Sequence, residues 1–109
     1  MTTAALHGHT CAILLFEEPG GEIESLSLLQ GVLRVDGGEV MLTLDDGGDP
    51  VRIPPHLVGS IERVTDELRE CLEDIASAYW LRAYYDGRLN RRSIDLTGVL
   101  ARCAASPEE

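Results

Sequence analysis

Residues 30–64 read QGVLRVDGGEVMLTLDDGGDPVRIPPHLVGSIERV, and this stretch decides the fold. Val40, Leu42 and Leu44 alternate with Glu39, Met41 and Thr43, the period-two pattern of a strand with one face in a core. Gly37-Gly38 before it supplies the positive φ that tight hairpin turns require, and Gly47-Gly48 after it marks the next reversal. Val51-Arg52-Ile53 makes a short strand that Pro54-Pro55 ends, since proline cannot donate to a sheet ladder. Leu57, Ile61 and Val64 then suggest one short turn and a brief strand over 60–64. This is the syntax of an antiparallel meander.

Toward the N-terminus, TCAILLF from Thr10 to Phe16 is apolar on both alternating faces, as in a strand covered on both sides. A third glycine pair, Gly20-Gly21, leads into a long extended stretch from Ile23 to Val35. Its apolar phase changes at Leu28-Leu29 and Gly31 follows, the mark of a bulged or sharply bent strand such as small barrels need. Toward the C-terminus, Thr65 is placed to cap a helix, with Asp66 and Glu67 where the helix dipole favours anions. Leu68, Cys71, Leu72 and Ile75 give that helix one apolar face, ending near Ser77. Residues 78–86 are readable either as a strand, from their aromatics, or as a continuation of the helix; Asp86-Gly87 favours a hairpin. Asp95 can cap a last short helix from Leu96 to Ala104. The fold class expected is α+β, mainly β: a small antiparallel bent-strand barrel or meander, then an α-helix and a C-terminal hairpin or short helix. Length fits a single domain over 1–109, with ends at 1–9 and 104–109 expected to fray.

Composition narrows the function classes. With 44% hydrophobic and 26% charged residues the 109-residue chain suits one globular core, although only 5% is aromatic and Trp80 is its one very large side chain. A formal net charge of −10 repels phosphate backbones and anionic membrane surfaces. All nine cations are arginine, which reads as genomic composition bias. Cys11, Cys71 and Cys103 have neither disulfide nor zinc spacing, so reduced thiols and a cytoplasmic location are expected. The longest apolar run, Cys11 to Phe16, is too short to span a bilayer.

Several constellations are candidate sites. His7, His9 and Cys11 alternate and would share a strand face, a geometry open to zinc or copper, yet no second cysteine or carboxylate nearby completes a shell. The DDGGD loop lacks the longer ligand pattern of a calcium loop. Glu17-Glu18 and Asp45-Asp46 are adjacent pairs whose side chains point apart on a strand, which argues against paired acid and base roles. The glycine pairs are flanked by acids and therefore cradle no phosphate, and the chain carries no nucleophile elbow, so catalytic residues and cofactors are read as none.

Charge asymmetry is the strongest signal. Residues 1–77 hold fifteen acids against four arginines, a balance of −11, whereas 78–103 hold five arginines against two acids, a balance of +3. Trp80, Arg82, Tyr84, Tyr85, Arg88, Arg91 and Arg92 are residue types enriched in interface hot spots, and they form the candidate binding set.

The 30–64 segment resembles the core of Sm-like and SH3-like small barrels, through Gly31, Asp36 and the Val40, Leu42, Leu44 alternation. His56 falls roughly where bacterial host-factor Sm proteins carry a histidine. The resemblance implies a barrel and, by the family's habit, RNA contact; the family's RNA-contacting asparagine would fall near Glu39 to Met41, where this chain has none. The leading functional expectation is a non-enzymatic protein-interaction or assembly module of a bacterial-type cytoplasmic protein, forming a homo-oligomer or binding another protein. The alternatives are an Sm-like RNA-binding regulator and a small-ligand or metal-binding protein, the latter marked by a deep cavity holding His56 or Trp80.

Overall fold

In a computed structural model, described here for residues 3–73, 75–89 and 95–104, the apolar run 10–16 becomes the strand around which the chain is built. This strand, β1 (Thr10–Glu17), pairs antiparallel with β2 (Ser25–Asp36) on one side and parallel with β6 (Tyr79–Tyr85) on the other. The meander continues through β3 (Glu39–Leu44) and β4 (Val51–Ile53), and β5 (Glu62–Arg63) adds to the far side of β6. The result is one six-stranded sheet in the order β4-β3-β2-β1-β6-β5. Its two end strands are not paired with each other among the described residues. The mainly β, α+β expectation therefore holds, and the purely antiparallel one does not: β1 and β6 run parallel, which a hairpin cannot connect.

A strand in mid-sheet must bury both faces, which is why 11–15 is apolar throughout. One face carries Cys11, Ile13 and Leu15 with Leu29, Leu33, Leu42, Leu81 and Ala83 in the main core. That core is roofed by α1 (Pro55–Val58) through Leu57 and by α3 (Leu96–Arg102) through Val99 and Leu100. Asp95 caps α3 by accepting from Thr97 N at 3.0 Å, as its side chain suggested. The helix bridges the sheet's two sides, with Thr97 Oγ1 accepting from Arg52 N of β4 at 3.4 Å and Ala104 pairing with Tyr84 of β6.

The opposite face carries Ala12, Leu14 and Phe16 with Leu28 and Trp80, and α2 (Asp66–Cys71) lays Leu68 over it, with Leu72 and Ile75 following. Thr65 caps α2 by accepting from Leu68 N at 3.2 Å. The helix is shorter than its apolar period implied: at Leu72 the backbone leaves the helical region (φ −131°, ψ 86°), and Ile75, past the helix end with its N–H donating to Leu72 O, joins the same cluster. Trp80 accordingly belongs to this smaller cluster and stays half-buried, outside the main core.

Two local features differ from expectation. The phase switch at Leu28-Leu29 is not a bulge, because β2 keeps an unbroken register with β1 through 25–32 and with β3 through 31–36. Leu28 and Leu29 are both apolar because each face has its own cover. Residues 3–9, expected to fray, lie along β2: Leu6 is buried, Gly8 N donates to Leu33 O, and His9 O accepts from Leu33 N. Gly37 and Gly38 have φ of 60° and 86° and form the two-residue turn between Asp36 and Glu39, as read from the sequence.

All three cysteines are unpaired, but only Cys71 is exposed. Burial pushes the Cys11 thiol up to about 12 and the Cys103 thiol up to about 11. Thiolate is the reactive form. At pH 8, Cys71 alone should react quickly with a thiol reagent in the folded chain, and all three should react in denaturant. A second fast thiol under native conditions would contradict the buried placement. The sign for stability follows: both groups sit above their unfolded value near 9, so their contribution is whole below that pH and is lost as pH rises toward 11 and 12.

Candidate interaction surface

Strand alternation divides the sequence-derived binding set. Cross-strand partners share a face, so Leu26, Phe16 and Tyr84 form one row across β2, β1 and β6; Leu28, Leu14 and Arg82 form the next; Gln30, Ala12 and Trp80 form a third. Trp80, Arg82 and Tyr84 are thus brought together on the α2 face. The rings of Phe16 and Tyr84 stack with centroids 5.1 Å apart, and the Arg82 guanidinium lies 5.3 Å above the Trp80 ring. The second and third rows reach the cluster that α2 covers, whereas the first lies at its margin, where Leu26 is 47% exposed. Ile23, in the loop entering β2, is 56% exposed at the same end of the sheet. Single exposed leucines are ordinary, but Leu26 adjoins an aromatic pair, and such clusters mark contact surfaces.

Tyr85 points the other way and packs against the main core. Its neighbour across the parallel pair, Glu17, is buried and accepts from the Ser25 hydroxyl at 2.8 Å and from the backbone N of Leu89. A buried carboxylate needs such donors, and here they tie the chain after β6 to the end of β1. Sequence reasoning set Glu17-Glu18 aside because adjacent side chains point apart on a strand, and so missed the role of Glu17; the missing signal is long-range, from a residue 72 positions away. Arg88 stands in solvent, its Nη1 3.9 Å from Glu24 Oε2, with side chains 82% and 49% exposed. Arg91 and Arg92 lie outside the described residues.

The metal candidates are separately engaged. His7 Nδ1 accepts from Val35 N at 3.0 Å, the His9 ring sits edge-on to Tyr79 at 5.4 Å, and Cys11 is buried. Among the described residues no group of three His, Cys, Asp or Glu side chains is gathered as a metal site would require. His56 Nε2 donates to the Cys103 carbonyl at 2.7 Å and thereby fastens α1 to the end of α3. A shallow cleft between α1 and β3–β4 is lined by Thr3, Glu39, Val40, Arg52, Ile53 and Val58, and neither His56 nor Trp80 reaches it. No helix among the described residues is long and apolar enough to cross a membrane. Comparison with family models, curated proteins and solved structures finds no match to the chain.

Proposed function

We propose that the chain is a non-enzymatic protein-interaction module that docks through the open end of its α2 face. The observation that carries this reading is the exposed Leu26 beside the stacked Phe16–Tyr84 pair, flanked by Arg82 and Arg88 on a chain of net charge −10. Aromatic and arginine side chains around an aliphatic centre are what interface cores favour, while acidic surroundings set orientation and encounter. The scaffold is a six-stranded sheet in which α3 packs against both β4 and β6. Three unpaired cysteines suit a cytoplasmic setting. An RNA-binding regulator would use the same Trp80, Arg82 and Tyr84, but phosphate meets the repulsion of the acidic chain, so the protein partner leads.

Leu26→Glu tests the surface. At this exposed position the thermal midpoint should stay within about 4 °C, because surface changes stay near 0.5 kcal/mol. The variant should lose association with itself and with any protein that immobilised wild-type chain retains. If the same species bind with unchanged strength, this face is not the docking surface.

A further inference from the structure

We infer that the partner is a second copy of the chain, held in a two-fold contact centred on Leu26 with Arg88 of each copy meeting Glu24 of the other. This rests on the interaction-module reading above and names its partner. A two-fold contact uses one patch twice, so the patch must complement itself: an apolar centre and both signs of charge. Leu26 with the Phe16–Tyr84 stack supplies the centre. Glu24 lies two residues before Leu26 and extends the β1–β2 ladder through its N–H to Glu17 O at 2.8 Å. Arg88 is its neighbour of opposite sign. Their separation of 3.9 Å and their exposure make this a weak pair within one chain. Exchanging it for the equivalent pair across an interface therefore sacrifices little, and the exchanged pair is formed twice around an apolar centre that excludes water.

The charge pattern also discriminates among occupants. A uniformly basic peptide would meet Arg82 and Arg88 as like charges, and a uniformly acidic one or a nucleic acid would meet Glu24 and Glu22. A second copy meets neither conflict at the patch, and at physiological salt the repulsion between the two bodies is screened beyond about 8 Å.

Sedimentation equilibrium of the full chain at physiological salt, over a wide concentration range, reads this directly. The wild-type mass should rise with concentration from one chain to two. Arg88→Glu and Glu24→Arg should each weaken dimerisation by about tenfold or more, and the double variant should recover to within about threefold of wild type, because reversing both members restores the exchanged pairs. Far-UV circular dichroism on each variant checks that the fold is retained. A wild-type chain that stays monomeric throughout overturns the inference, as do single variants without effect or a double variant without recovery. If the chain is monomeric while Leu26→Glu still abolishes capture of another protein, the inference fails and the module reading stands. If Leu26→Glu leaves every association intact, both fail.

Discussion

Gly31→Ala is expected to destabilise the chain by at least about 2–3 kcal/mol, among the largest effects available from adding a single methyl group. Gly31 is in mid-sheet, opposite Cys11 of β1 and Leu44 of β3. Its φ is not positive, so glycine is not required there for its backbone freedom. What it provides is space: a Cβ would meet the Thr43 carbonyl oxygen far inside van der Waals contact, with Thr43 C at 2.7 Å and Leu44 Cα at 2.9 Å. Those are backbone atoms, held by the β2–β3 register and by the turn at Gly37-Gly38, and they cannot swing aside as a side-chain tip can. Urea unfolding should show a lowered midpoint with little change in slope. A loss below about 0.5 kcal/mol would mean that β2 and β3 separate more easily than their pairing implies.

Leu81→Ala should cost about 2–5 kcal/mol. Leu81 is fully buried in β6, beside Ile13 of β1, which in turn faces Leu29 of β2, so three leucine or isoleucine side chains cross the sheet in one line. Removing the last of them opens a cavity under α3 that its neighbours Val99 and Leu100 can fill only in part. Denaturant unfolding gives the magnitude. Native-state hydrogen exchange should show β6 and α3 opening more readily than β3. Protection lost equally in all strands would indicate one global unit in which β6 has no separate stability.

Much of this arrangement is legible in local patterns. The double-faced apolar run at 10–16 announces a central strand, the Gly37-Gly38 pair announces the β2–β3 turn, and Thr65 and Asp95 announce two helix starts, borne out by strand pairing, positive φ angles and cap hydrogen bonds respectively. Helix ends are less legible. Ile75 continues the helical period although the helix has stopped at Cys71, because a residue in the chain beyond the helix can reach the same cluster. The strand over 79–85 is legible from its aromatics as one of two alternatives, but its parallel place beside β1 is illegible locally, since its partner is far away in sequence and Asp86-Gly87 imitates a hairpin turn. The binding set was half legible for the same reason. Alternation puts Trp80, Arg82 and Tyr84 together and Tyr85 apart, but their companions Phe16 and Leu26 come from strands that only the fold brings alongside.

The parallel pair has a kinetic consequence. Each residue of β1 waits for a partner 68 positions later, as in Thr10 Oγ1 accepting from Ala78 N. During synthesis β1 through β4 can zip up from short turns, leaving one long side of the most apolar strand open until nearly four fifths of the chain has emerged. Closing so large a loop before its contacts are gained slows the final step and places folding among the slower small domains. For that interval the open side of β1 is a template for stray strands. The acids at Glu17, its last residue, and Glu18, just past it, keep such nascent chains apart by charge.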